Sequence, residues 1–456
     1  MTNSATPTSS TPLLRPPVFE NSSTLSRESI DESAGEIAIS DESHHKGNSI
    51  IEAVYHVICL IAGSGVLQLP YALNQSGWAG IGLIVFAAFA NNYSGKLLVK
   101  CLYANGDSNE SSRRLKGFSH IGYEAFGERG RILVEGFTSA MLIGVPIVYL
   151  ILSGMNLELI FGIYSKQTWI ILSAVLVMIP FLLFKTLKEI AIFSAFGVFA
   201  TFIVIGTVVF YSIHDLPLNA GKVTHKFFDG SQVASALGSI SFSYAGNYIY
   251  PEVEGSMADP KKFHVVLSIS MVVISVMYLI TAILGYAAYG NLTDSPILNN
   301  LPKGTIANFS IFVITAHVLL AIPVVVTTFS LEMERKLDLL KIAGGSTRRE
   351  DFYRTILRVG IIGVIVTLAI AIPFFKDFMT LLGAVANTAL IFIFPVIFDF
   401  KLFGFQNRPW QERVFGVVIL IVGAFGGLVG GYEAVIALLN DINGVPNVGG
   451  GGHLFW

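Results

Sequence analysis

After residue 48 the chain alternates between long apolar runs and short polar stretches, and eleven of the runs are long enough for a membrane-spanning helix. About 20 mainly apolar residues suffice, because a rise of about 1.5 Å per residue has to cover roughly 30 Å of hydrocarbon. The expected spans are Ser49 to Leu73, Trp78 to Tyr103, Leu133 to Phe161, Gln167 to Leu187, Ile190 to Ile213 and Val233 to Met257, then Val265 to Tyr289, Ile306 to Phe329, Ile356 to Phe375, Phe378 to Phe398 and Val414 to Leu439. Residues 49–440 therefore read as one transmembrane domain. The 48 residues before it are rich in Ser, Thr, Pro and acidic groups and read as a disordered cytoplasmic tail, and residues 441–456 read as a short C-terminal one.

Unusual backbone residues recur within the spans. Span 1 carries Gly63-Ser64-Gly65 followed by Pro70, and span 6 carries Ala245-Gly246-Asn247 followed by Pro251. Pro146 in span 3 answers Pro323 in span 8, Pro180 answers Pro373, and Gly197 answers Gly383. These correspondences divide the first ten spans into two blocks of five. An odd number of spans turns the second copy upside down, so the expected plan is a 5+5 inverted repeat plus an eleventh helix.

Composition agrees with a life in lipid: 53% of the residues are hydrophobic, 13% are charged and the mean hydropathy is +0.66. The formal net charge of -2 gives no basic field for nucleic acid. Lys and Arg crowd the loops on the side of the N-terminal tail, among them Arg113, Arg114, Lys116, Lys261, Lys262, Arg335, Arg348, Arg349, Arg408 and Arg413. The other side holds Lys166, Lys222, Lys226, Lys303 and Lys376. Positive loops stay in the cytoplasm, so the N-terminus is expected there and the C-terminus outside or in a lumen. Asn291-Leu292-Thr293 is a sequon on the outer face. Cys59 and Cys101 both fall in apolar runs and announce no disulfide framework.

An interrupted helix persists in a membrane only where it is buried in protein or lines a cavity, because each unpaired backbone group costs several kcal/mol there. Gly63-Ser64-Gly65 and Ser243-Tyr244-Ala245-Gly246-Asn247 are the expected interruptions. A half-helix beginning near Val66 would offer free N–H groups to a carboxylate, and carbonyls ending the preceding half would suit an ammonium group or a cation. Such a site fits a zwitterion. The competing reading is that these small residues only let helices pack closely. His56, seven residues before Gly63, and Glu252, six after Gly246, would lie at similar depth and are candidates for proton coupling or an inner gate. The plainer alternatives are a hydrogen-bonded core histidine and a carboxylate capping the helix restarted at Pro251. His317 reads as structural, Lys96 as a snorkelling side chain, and Glu433 lies outside the repeat.

The stretch from Ala53 to Leu73, reading AVYHVICLIAGSGVLQLPYAL and continuing to Gly77-Trp78, resembles the first helix of the amino acid/auxin permease family. Gly122-Tyr123-Glu124-Ala125-Phe126-Gly127 resembles that family's segment before its third helix. Ser241 to Asn247 with Pro251 to Met257 and Pro260 resembles its sixth. The likeness covers nearly everything after residue 48 and is closest to fungal vacuolar and neutral amino acid transporters. It implies the leucine-transporter-type fold of the amino acid/polyamine/organocation superfamily, alternating access around the two interruptions, and amino acid substrates driven by a cation gradient. Where sodium-coupled relatives place an asparagine, this chain has Cys59, a poor ligand for a hard cation, which favours protons over sodium.

No phosphate loop, HExxH, GxSxG or paired cysteine ligands occur, so neither an enzyme nor a bound cofactor or metal is expected. The expected partners are an amino acid, protons and the lipid bilayer, in a vacuolar, lysosomal or plasma membrane. The alternatives of other classes are an amino-acid-sensing receptor that uses the same site without net flux, and a channel. A dileucine-like Thr11-Pro12-Leu13-Leu14 lacks its upstream acidic residue.

Overall fold

Backbone amides and carbonyls have no water to bond in hydrocarbon, so a chain this apolar must satisfy them within helices. A computed structural model describes residues 47–104, 114–183, 192–342 and 347–444. The N-terminal tail before Gly47, the end of the C-terminal tail, Arg113 and the junction of spans 4 and 5 lie outside the described residues. The described residues form helices, with one isolated bridge pairing Asn48 with Met257. The helices are α1 (Ile50–Ile61), α2 (Leu69–Ser76), α3 (Gly80–Cys101), α4 (Phe118–Phe161), α5 (Lys166–Leu183), α6 (Ile192–Leu218), α7 (Val233–Ser243) and α8 (Tyr250–Gly255). Then come α9 (Phe263–Tyr289), α10 (Thr305–Lys336), α11 (Leu339–Ile342), α12 (Thr347–Ala371), α13 (Phe375–Leu382), α14 (Phe394–Phe403) and α15 (Trp410–Ile442). Among the described residues, eight helical stretches are long and apolar enough to cross a membrane. Ile50–Ile61 with Ser64–Ser76 passes the same test as a pair bent by 46°.

The bundle closes around α7 through small residues. A Cβ on Gly383 would lie 2.1 Å from the Gly238 carbonyl, and one on Gly430 would lie 2.4 Å from the Ala234 carbonyl. Backbone therefore packs on backbone, as small residues allow in membranes. The segment joining α13 to α14 is π-helical over Gly383–Asn387 and Ala389–Ile393, which widens the turn where it passes α7.

Two elements differ from the spans expected from the sequence. α4 starts at Phe118 and kinks at Phe126 and Gly127, where Gly127 takes φ 64°. α12 begins nine residues before the expected Ile356, because its extra turns carry charges with partners: Arg354 reaches Glu334 at 3.0 Å and Glu350 at 2.7 Å, and one turn on Arg358 reaches Glu334 at 3.1 Å. Arg358, only 1% exposed, also donates to the Phe181 carbonyl at 2.9 Å, tying α5, α10 and α12 together. The sequon is knitted into a turn, since Asn291 accepts from the Thr224 amide at 2.9 Å and Thr293 is buried. The loop before α7 covers the end of α2 and α3. Trp78 and Ala79 donate to Lys226 and Phe227 carbonyls at 3.0 and 2.9 Å, and the Lys226 ammonium with Ser231 holds the Asp229 carboxyl down at about 2.

Candidate functional site

α1 is started by a capping box, Ser49 with Glu52, and stops at Ile61. Ala62 takes φ −76°, ψ 71° and Gly63 φ −114°, ψ −145°, after which Ser64–Gln68 form a 3-10 stretch and α2 resumes with Pro70 in its first turn. Proline suits that place because its missing N–H would have had no partner there. The second interruption has the same grammar. α7 ends at Ser243, Tyr244–Gly246 are not helical, Asn247–Ile249 form a 3-10 turn, and α8 carries Pro251 in its first turn.

The two interruptions touch. Ser243 Oγ donates to the Gly65 carbonyl at 2.8 Å, and a Cβ on Gly65 would lie 2.6 Å from Ser243 Cα. Gly246 packs on Ile61, 2.9 Å from an added Cβ. The Tyr278 hydroxyl of α9 lies between them, 2.9 Å from the Ile61 carbonyl and 2.6 Å from that of Ser243. One O–H proton serves two acceptors. Thr201 of α6 donates to the Ala62 carbonyl at 2.8 Å.

α3 braces the second interruption with carboxamide chemistry. Asn91 Nδ2 donates to the Tyr244 carbonyl at 3.0 Å, Tyr250 donates back to Asn91 Oδ1 at 3.4 Å, and Asn247 donates to Ser94 at 3.4 Å. Beyond the first interruption, fully buried Gln68 donates to Ser239 and Thr380 at 2.9 Å and to the Lys376 carbonyl at 3.2 Å. That side chain joins the 3-10 stretch to α7 and α13.

Around Gly63 the packing is looser. The nearest atom to a Cβ there would be the Tyr149 hydroxyl, at an ordinary 3.5 Å. Tyr149 lies beside Ser64, yet Ser64 Oγ is buried without a well-aligned hydrogen bond, and no side chain caps the 3-10 stretch. Tyr149 of α4, which lies beside Ser64, has Tyr248 and Tyr278 among its neighbours.

Gly63, Ser64, Gly65, Val66, Ser243, Tyr244, Ala245, Gly246 and Asn247 accordingly fall in or beside the two interruptions. Among the described residues no hydrogen bond or ion pair joins His56 and Glu252, and both are exposed. The buried carboxylate is Glu254, two residues on and so on the other side of α8. It pairs with Arg114 at 2.7 Å and accepts from Tyr103, while Arg114 also donates to the Pro251 carbonyl. His317 is buried against Gly197, where a Cβ would lie 2.3 Å from its ring. Glu433 accepts from the Ser235 amide at 3.1 Å and hydroxyl at 2.7 Å and so caps α7. Among the described residues no group of three or more His, Cys, Asp or Glu is placed to hold a metal.

Sequence reasoning missed Gln68, Asn91, Arg114, Tyr149, Thr201 and Tyr278. Asn91 and Gln68 carried a usable signal, a carboxamide in an apolar span, since polar groups in lipid are rare and need partners. The tyrosines carried none, because aromatic residues are ordinary in such spans.

Residues 46–436 match the family described as transmembrane amino acid transporter protein. Amino acid transporter AVT1D of Arabidopsis thaliana is 26% identical over 460 residues, covering 96% of this chain and 79% of that protein. The vesicular inhibitory amino acid transporter of Xenopus tropicalis is 27% identical over 403 residues, covering 85% of this chain and 77% of its own length. Among solved structures, a mutant manganese transporter of Eremococcus coleocola superposes with a TM-score of 0.51 at 13% identity, over 86% of this chain and 91% of that one. That likeness is one of fold.

Proposed function

The chain belongs to the transmembrane amino acid transporter protein family, and on that premise we propose that it is a proton-coupled secondary transporter moving neutral, zwitterionic amino acids by alternating access. In this reading the eight long helices, the bent pair α1–α2, the shorter α5 and the broken pair α7–α8 make eleven spans. The first ten are two inverted blocks of five, and the N-terminus is cytoplasmic.

The observation that carries the reading is the contact of two interrupted helices with an undercapped 3-10 turn beside Gly63. Its amides are placed for a carboxylate, and the carbonyls of Ile61 and Ser243, sharing one tyrosine proton, are placed for an ammonium group. Gly63, Ser64, Gly65 and Val66 with Ser243 to Asn247 form the substrate site. Glu254 with Arg114 forms the inner gate in place of His56 and Glu252, because a buried ion pair across two elements must part for them to move. Cys59 on α1 supports protons over sodium. The vesicular relative supports the membrane of an internal compartment as the site of action.

Uptake of a panel of amino acids into proteoliposomes, with imposed pH or sodium gradients, tests this. The expected result is accumulation of neutral amino acids driven by the pH gradient alone. Binding without flux would leave a receptor, flux without coupling a channel, and a sodium requirement would overturn the proton assignment.

A further inference from the structure

One group of ionisable side chains takes no part in either interruption. At the start of α13, Asp377 is only 7% exposed, and its Oδ2 finds no hydrogen-bond donor. What its carboxyl meets is the carboxyl of Asp441, in the last turn of α15. Lys376 Nζ stands 3.9 Å from Asp441 Oδ2. Tyr71 of α2 and Asp294, in the loop after α9, complete the ionisable surroundings. From the α4–α5 side come Glu158, which accepts from the Lys166 backbone amide, and Lys166, whose ammonium group donates to the Pro373 carbonyl. α7 contributes only the neutral Ser239, and Glu433 of α15 is taken by Ser235.

Two ionised carboxyls offer each other only lone pairs, so their contact bonds only when a proton lies between them. The charge balance says the same. One nearby ammonium group, Lys376, faces the buried Asp377 and the part-buried Asp441, so two ionised carboxylates would repel each other there and a single bound proton relieves that repulsion. We propose that Asp377 and Asp441 form a one-proton binding site at the end of the bundle where α2 and α15 finish, filled from the compartment that this end faces. A hydronium ion gives its proton to one carboxylate oxygen, the new O–H donates to the other carboxylate, and release to water reverses the step.

The site is wired to the first interruption. The Lys376 carbonyl, one peptide before Asp377, accepts from Gln68 of the 3-10 stretch at 3.2 Å. With the proton bound, the pair ties α13 to α15 beside α2. Without it, like charges press the two apart and disturb the strut that Gln68 provides. The proposal rests on the transport reading for its substrate and names the residues through which protons couple to it.

The test uses the full chain in proteoliposomes and in detergent. Coupling free energies between two ligands correspond to about 5- to 150-fold in affinity, so the half-saturating substrate concentration for gradient-free exchange is expected to change by that order between acid and alkaline buffer. In Asp377→Asn, whose amide supplies an N–H where the proton would lie, exchange continues with that dependence flattened and accumulation driven by a pH gradient is lost. Asp441→Asn gives the same result. In detergent, the melting temperature of the unsubstituted protein rises on acidification in a step that either substitution removes. An unchanged pH dependence of exchange or of melting in both variants overturns the proposal. If the unsubstituted protein exchanges no amino acid, the transport reading falls, and the melting profiles still decide whether the pair binds a proton.

Discussion

The two interruptions lie against each other, yet the molecule holds them by different means. At the first, the freed carbonyls of Ile61, Ala62 and Gly65 are met by single hydroxyls from three different helices: Tyr278, Thr201 and Ser243. At the second, α3 supplies a carboxamide, Asn91, whose two ends bond two points of the interrupted helix, with Asn247 reaching back to Ser94. Hydroxyls rotate and release, whereas a carboxamide bonded at both ends fixes its neighbours' spacing. The first interruption also keeps a buried hydroxyl without a well-aligned hydrogen bond, Ser64, and looser packing at Gly63, where an added Cβ would meet the Tyr149 hydroxyl only at 3.5 Å. Under the proposed function, the second interruption serves as a fixed wall and the first as the part that would take hold of a ligand.

The sharpest way to break this comparison is Gly65→Ala. Its Cβ would meet Ser243 main chain at 2.6 Å, so the two interruptions must separate. Overpacking of this kind costs about 1–3 kcal/mol, and transport should be abolished. Gly63→Ala, whose first neighbour would be the Tyr149 hydroxyl at 3.5 Å, should fold normally and raise KM alone. Equal damage from both, in uptake and in melting temperature, would erase the distinction.

Asn91→Leu comes next. It strips the Tyr244 carbonyl of its donor and leaves the Tyr250 hydroxyl without its acceptor, at an expected cost of about 1–3 kcal/mol in a denaturation measurement. Tyr278→Phe touches both interruptions but should cost less, because the Ile61 carbonyl keeps the Gly63 amide at 2.8 Å. Its effect should appear mainly as weaker substrate affinity. If Tyr278→Phe proves the more destabilising, the second interruption is not the fixed one. Ser64→Ala is the smallest. Its hydroxyl has no well-aligned hydrogen bond, so stability should move by no more than about 0.5 kcal/mol while uptake shows a raised KM, and an unchanged KM would remove Ser64 from the substrate site.

The interruptions were legible because lipid punishes unpaired backbone, so glycine clusters followed by proline in apolar runs carry few meanings. The charged residues were read less well. His56 and Glu252 stood out as ionisable groups at matching depth, but the carboxylate that turns inward is Glu254. Residues two apart on a helix point about 200° apart, and which face is inward depends on how α8 rests on its neighbours. Asp377 and Asp441 lie 64 residues apart near opposite ends of different helices, and no local pattern announces their meeting.

What the sequence determined by itself is that the chain is helical and lives in lipid, and roughly where its helices run or break. These follow from local quantities: the length of an apolar run, and the absence of a side chain or an N–H at a given position. Only the tertiary structure decided which carbonyl receives which hydroxyl, that Arg114 holds Glu254, and that two carboxyls share one corner. Those pairings arise between helices distant in sequence, and a rotation of about one residue about a helix axis exchanges every partner.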